Sequence, residues 1–126
     1  MAKLVHTLPA TFDISEDANA SIAIDLGGGR LIGVIMAGTW TAAGLFLKAS
    51  DRLGGTYRDV FDSASAALVL VATPLINQHI GLLPAIKEVA NCARFIKLGS
   101  GVVGTEVAQI TQDNAVLVVV EHDDLR

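Results

Sequence analysis

One stretch near the C-terminal end of the chain has the residue types and spacing of a nucleotide-binding loop. Gly99, Gly101 and Gly104 match G-x-G-x-x-G, in which the glycines permit a tight turn and a close approach of the backbone to a pyrophosphate. Acidic residues at 121, 123 and 124 follow at about the spacing of a ribose-binding acid. The pattern therefore raises the possibility of an NAD or FAD site.

The residues around these glycines do not suit such a site. A dinucleotide-binding strand is buried on both faces, but "CARFIKL" carries Arg94 and Lys97. The helix that should follow would be "VGTEVAQITQ", which is short and rich in β-branched residues that weaken helices. We therefore expect a glycine-rich loop between two antiparallel strands, and no cofactor.

The other chemically capable side chains form no recognisable catalytic or metal-binding pattern. The three histidines are far apart in the sequence, the only cysteine excludes an internal disulfide, and no serine lies in a nucleophile elbow. Asp59 and Asp62 lie beside a turn, where solvated acids are common. We expect Cys92 to pack as a small apolar residue. The sequence thus predicts a protein that is not an enzyme and binds no metal; the residues considered are His6, His79, His122, Ser100, Asp59, Asp62 and Cys92.

The composition indicates burial against partner proteins. The chain has 126 residues, of which 52% are hydrophobic and 17% charged, and its net charge is -4. A small soluble monomer normally has about a quarter charged residues.

The acidic balance argues against nucleic-acid binding. No membrane span is expected, because residues 31–47 would form a helix of only about 26 Å and prolines interrupt residues 63–86.

The elements needed to position these residues are short strands. "ASIAIDL" and "LFLKAS" alternate apolar and polar residues, as half-buried strands do. Glycine-rich turns separate "RLIGVIM", "TYRDVFD", "AALVLVA", "CARFIKL" and "NAVLVVVEH", and a helical turn is expected only after Pro84. We predict an all-β protein, an antiparallel β-sandwich or jelly roll, with an N-terminal arm over residues 1–19 and a single sandwich domain over residues 20–126. Strands that are apolar on both faces imply that neighbouring subunits cover part of the outer surface.

Three sequence blocks resemble a known group of proteins. "LGGGRLIGVIMAGTWTAAGLFLKASD", "GGTYRDVFD" and "ARFIKLGSGVVGTEV" resemble, in this order, small β-sandwich structural proteins of tailed-bacteriophage virions. The same order is similar to discoidin-type, galactose-binding-like jelly rolls. The resemblance covers roughly residues 25 to 120. In place of the tighter "D-G-G" turn of that group, this chain has "DRLGG".

The resemblance implies a structural role in the virion. A capsid decoration or cement protein would be made in the host cytoplasm, lie on the capsid surface and bridge subunits of the major capsid protein. It would also bind copies of itself, and a trimer is expected. The expected partner contacts are residues of the arm and three residues of the sandwich: Lys3, Leu4, His6, Phe12, Trp40, Phe46 and Arg58.

Two alternatives remain open from the sequence. The protein could be a carbohydrate-binding module in which Trp40 and Tyr57 stack on a glycan, or another component of a phage tail or spike. Trp40 could equally cap the core, because large aromatic side chains are usually mostly buried.

Overall fold

A computed structural model describes residues 3–12, 19–36, 38–109 and 114–123. In chain order its elements are β1 (Lys3–Phe12), β2 (Ile24–Asp25), β3 (Arg30–Ile35), β4 (Leu45–Ser50), β5 (Arg58–Asp59), β6 (Val69–Val71), β7 (His79–Gly81), α1 (Pro84–Ala90), β8 (Phe95–Val102), β9 (Thr105–Glu106) and β10 (Asn114–Asp123).

Two antiparallel sheets form the described part of the chain. Sheet 1 has the strand order β1-β10-β3-β7. Sheet 2 has the order β2-β8-β4-β5, with β6 also paired to β4 and β9 to β8. The predicted all-β antiparallel sandwich is therefore confirmed.

The core lies between the sheets and follows the alternation of the strands. In β4, Leu45 and Leu47 are fully buried in the core, and in β10 Val116, Val118 and Val120 are fully buried as well. Burial of each such side chain stabilises the fold by about 1.5–3 kcal/mol relative to exposure. The periodicity of two thus selects which residues of each strand hold the sheets together.

The single described helix, α1, closes one side of the core. It begins at Pro84, whose missing N–H is harmless at the first helical position, and buries Ala90 while Ile86 and Val89 pack against the core. This confirms the helical turn expected there. Among the described residues, no helix combines the length and apolar character needed to cross a membrane.

Asn91, directly after α1, takes the place of a strand partner for β3. Its side chain accepts a hydrogen bond from Leu31 N at 2.7 Å and donates to Leu31 O at 3.1 Å and to Lys87 O at 2.8 Å. One amide therefore satisfies backbone groups of both a strand and a helix end, and it covers β3 beyond the short strand β7.

The segment expected as an arm contains a long strand. Lys3–Phe12 pairs with β10 over its full length, with Leu4 opposite His122 and Ala10 opposite Val116. Ala10 and Phe12 are fully buried in the core. Local sequence did not show this, because the partner strand lies at the other end of the chain.

The expected loop at Gly99 and Gly101 is also part of a strand, and this expectation was wrong. β8 runs on through both glycines to Val102, and only Gly104 lies in the turn to β9, with φ of 87°. Gly99 lies opposite Phe46 of β4, and a Cβ at position 99 would overlap the Phe46 ring. Glycine is needed here for packing against an aromatic ring, not for chain reversal.

Candidate interaction surface

One side of β1 is an open edge of the described surface. This strand is at one end of sheet 1, and among the described strands it pairs only with β10. On its other side Ile22 N donates to Thr11 O at 2.9 Å, so the C-terminal end of the strand is covered. From Lys3 to Pro9, none of the described residues pairs with that side in the sheet. We refer to this stretch as the β1 edge.

Exposure changes sharply along β1. Residues 3–7 are exposed, whereas Leu8 is half-buried against the core and Ala10 and Phe12 are fully buried. Leu4 is 50% exposed and Val5 58% exposed. Because a long exposed edge strand with apolar side chains is a template for pairing with another chain, the β1 edge is the best candidate for a partner contact.

Side chains fix the first half of β1 to β10. The His6 and His122 rings stack with centroids 4.8 Å apart and planes 11° apart. Glu121 Oε1 lies 3.0 Å from Arg30 Nη2 and 3.9 Å from Lys3 Nζ. These exposed ion pairs contribute little energy individually, but together with the stacked rings they hold the exposed half of the strand in the sheet.

Glycine also shapes the surroundings of this histidine pair. A Cβ on Gly29 would lie 2.6 Å from His122 Cε1 and 2.5 Å from Val120 Cγ1. The turn before β3 therefore passes close against the end of β10 because residue 29 has no side chain. The contact between the two histidines could not be predicted from the sequence, because it depends on the register between the first and last strands.

The seven expected partner residues are not gathered in one place. Lys3, Leu4 and His6 lie on the β1 edge, and Arg58 is exposed on β5, the outermost strand of sheet 2. Trp40 is half-buried, packs edge-on against Phe12 with ring centroids 5.1 Å apart, and donates from Nε1 to Ala43 O at 3.0 Å. Trp40 therefore caps the core, which was the alternative to its assignment as a contact residue.

Phe12 and Phe46 are not surface residues, and their assignment as partner contacts was wrong. Phe12 is 0% exposed within the core. Phe46 is 1% exposed although it points away from the core, because its ring lies on Gly99 and Lys48 Nζ sits 5.4 Å from its centroid. The sequence alternation had correctly placed Phe46 opposite Leu45 and Leu47, but it could not show that the outer face is covered.

Lys48, the lysine above Phe46, belongs to a partly buried charge cluster on sheet 2. Its Nζ lies 2.8 Å from Asp59 Oδ1 and 3.6 Å from Glu106 Oε1. Burial lowers the pKa of Lys48, but the two carboxylates raise it by more, so its pKa is above the usual range. The cluster joins β4, β5 and β9. Its lysine is paired with two carboxylates of the same cluster, which is typical of a structural role.

The remaining chemically capable residues are dispersed. The Ser100 hydroxyl is buried and accepts a hydrogen bond from Gln109 Nε2 at 2.9 Å, and His79 is exposed on β7. Cys92 is exposed, so its expected packing as a small apolar residue was wrong. The described part of the chain brings together no group of three or more His, Cys, Asp or Glu side chains suited to a metal ion.

The glycine motif lacks the surroundings of a nucleotide site. Gly101 pairs with Glu106 of β9, and Val107 N donates to Ser100 O at 2.8 Å, so a hairpin follows the motif where a helix is required. Each glycine has its own reason: Gly99 packs on the Phe46 ring, Gly101 has a φ of 108° and lies close to Thr105 O, and Gly104 turns the chain with a φ of 87°. Among the residues that the structure describes there, no helix N-terminus is available to receive a phosphate.

A shallow cavity of about 390 Å³ lies between α1 and the ends of β3 and β10. Three of its polar lining side chains already have partners: Arg30 pairs with Glu121, and Asn91 binds Leu31. The cavity therefore offers little to orient a small ligand, and the geometry favours binding through the β1 edge instead.

Comparison with known proteins gives one structural relationship. No protein-family model matches the sequence, and no curated protein matches it. The fold is shared with a prophage protein. The crystal structure of SPBc2 prophage-derived protein YomS matches with a TM-score of 0.51 and 15% sequence identity, covering 97% of this chain and 96% of that chain. At this identity the similarity is one of fold, extending over nearly the whole of both chains.

Proposed function

We propose that this chain is a structural protein of a tailed-bacteriophage virion that decorates the capsid surface. Its partners are the major capsid protein and further copies of the same chain, and it acts without catalysis. The fold shared with a prophage-derived protein over 97% of the chain carries the proposal. The three sequence blocks that resemble virion β-sandwich proteins support it independently.

The mechanism of such a protein is mechanical. A rigid sandwich adds buried area where neighbouring capsid subunits meet, so that more contact must be broken before the shell opens. The β1 edge suits the self-association within this role because backbone pairing and exposed apolar side chains, here Leu4 and Val5, can bind another chain without a deep pocket.

The carbohydrate-binding alternative has less support from the geometry. Trp40 is held against Phe12 and hydrogen-bonded to Ala43 O, and Tyr57 donates its hydroxyl to Leu53 O at 2.7 Å while Lys97 Nζ lies 4.9 Å from its ring centroid. Sugars stack on open aromatic faces, and here the lysine occupies one face of Tyr57.

A test is to add the purified protein to particles of the encoding phage that lack this gene. We expect the protein to co-sediment with the mutant particles and to raise the temperature at which they release DNA, towards that of wild-type particles. Mutant particles without added protein are the control. Failure of the protein to sediment with the particles, with no change in their DNA release, would contradict the proposal.

A further inference from the structure

The direction of the backbone groups in β1 follows from one hydrogen bond. The N–H and C=O of a strand residue point to the same side, and the side alternates from residue to residue. Because Thr11 O accepts from Ile22 N, Thr11 faces away from β10. Pro9, Thr7 and Val5, at successive steps of two, therefore face the same open side.

Pro9 occupies a position where proline is harmless. Its missing N–H would have pointed to the open side, so no hydrogen bond to β10 is lost. Val5 and Thr7 keep both the N–H and the C=O directed outward, and in the described part of the chain no residue pairs with them in a sheet. The β1 edge is thus a short, well-defined row of backbone donors and acceptors.

We propose that β1 pairs antiparallel with β1 of a second copy about a twofold axis beside His6. This pairing deepens, and rests on, the self-association within the proposed function. Val5 then lies opposite Thr7 of the second copy, and the two symmetric pairs form about four backbone hydrogen bonds. Val5 and Thr7, whose N–H and C=O both face outward, lie on either side of His6, so this register pairs each of them with the other residue of the second copy.

The side chains favour the same register. Leu4, 50% exposed, comes to lie opposite Leu8 of the second copy on the core-facing side, and Val5, 58% exposed, lies beside Thr7 on the outer side. A register centred on Lys3 would place two ammonium groups opposite each other, and one centred on Pro9 would require an N–H that proline lacks. The joined sheets have the order β7-β3-β10-β1-β1-β10-β3-β7.

A second copy is the occupant that fits this edge by symmetry. An antiparallel pairing of identical strands is isologous, so every contact is made twice and the assembly closes as a dimer. The trimer implied by the resemblance would need a different, heterologous interface. The two outcomes differ in mass and are separable in solution.

Thr7→Pro tests the pairing directly. It removes an outward-facing N–H just as Pro9 does, and leaves the hydrogen bonds from β1 to β10 in place. We expect a wild-type dimer by light scattering, a Thr7→Pro monomer at the same concentration that still unfolds cooperatively, and a dimer for Thr7→Ala, which keeps the N–H. A wild-type monomer or trimer, or a Thr7→Pro dimer, would overturn the proposal.

A cross-linking experiment covers the case in which Thr7→Pro does not fold. With Cys92 replaced by serine, His6→Cys places two thiols at the axis, in a non-hydrogen-bonded pair whose spacing suits a disulfide. We expect oxidised His6→Cys to run as a covalent dimer. Leu4→Cys, on the same side of the strand, should not cross-link, because it faces Leu8. Equal cross-linking of both variants, or of neither, would overturn the register.

The test of the β1 dimer and the test of the virion role can fail independently. If the Thr7→Pro protein stays dimeric, the proposed β1 pairing is wrong, but the proposed binding to virions is not affected. A dimer joined through β1 that never associates with phage particles would contradict the virion role alone.

Discussion

The Phe46 ring lies directly on Gly99, where any side chain at position 99 would occupy the space of the ring. Phe46 is 1% exposed on the side of sheet 2 opposite the core, so this contact is a second, smaller buried site outside the main core. It also explains why a glycine stands in the middle of β8, where glycine otherwise weakens a strand.

Gly99→Ala should destabilise the protein by about 1–3 kcal/mol, because the added methyl group meets the ring. Urea denaturation measures the change. Gly81→Ala is the matched control, since a Cβ at that strand position meets nothing within 4 Å, and it should change stability by less than about 0.5 kcal/mol. In a Phe46→Ala background the cost of Gly99→Ala should largely disappear. Equal costs in both backgrounds would contradict the contact.

Gln109 should contribute strongly to stability through three hydrogen bonds. Its Oε1 accepts from Thr41 N at 2.7 Å, and Nε2 donates to Thr41 O and to Ser100 Oγ, both at 2.9 Å. Gln109→Leu has a similar shape but leaves these buried groups unpaired, so we expect a loss of about 2–4 kcal/mol and faster hydrogen exchange at the Thr41 amide.

Thr41→Val provides the contrast to this substitution. The Thr41 hydroxyl is buried without a hydrogen-bond partner among the described residues, so its removal should be neutral or stabilising. A large loss from Thr41→Val, or none from Gln109→Leu, would show that the network is assigned wrongly.

The Asp25–Arg94 pair should make stability depend on pH. Arg94 Nε and Nη2 donate to the two oxygens of Asp25 at 2.7 and 3.0 Å. These hydrogen bonds lower the pKa of Asp25. A carboxyl with a lowered pKa in the folded state stabilises the fold above its ordinary pKa and loses this effect as the pH falls through the lowered value. The gain is small, because the pair is exposed to solvent.

We therefore expect Asp25→Asn to lower the melting temperature slightly at pH 7 and to leave it unchanged well below about pH 4. Thermal melts of both proteins across this range measure the effect. Asp51→Asn is the control, since Asp51 is 85% exposed and lies 3.6 Å from Arg52, and it should have no effect at either pH. A difference in melting temperature between the wild type and Asp25→Asn that grows as the pH falls would contradict this prediction.

The sequence predicted those features of the fold that depend on local alternation. Leu45 and Leu47 face the core and Phe46 the outer side, as "LFLKAS" indicated. The alternation of "ASIAIDL" was only partly correct: Ile24 and Leu26 are buried, but Ile22 is 48% exposed. There the chain passes between sheets, with Ser21 N bound to Leu98 O in sheet 2 and Ile22 N bound to Thr11 O in sheet 1.

What the sequence did not predict depends on contacts between distant segments. β1 is a strand because β10 lies beside it, and the His6–His122 stack follows from that register. Gly99 resembled a turn residue because a single sequence does not show that a ring from β4 packs on it. Three of the expected partner residues lie on the β1 edge, whereas Phe12 and Phe46 are buried and so are not on the surface.

The most direct measurement of the virion role is a cryo-electron microscopy reconstruction of particles of the encoding phage. The proposal predicts density of this sandwich on the outer surface of the head, in contact with the major capsid protein. Heads without such density, in particles shown by mass spectrometry to contain the protein only in the tail or not at all, would contradict it.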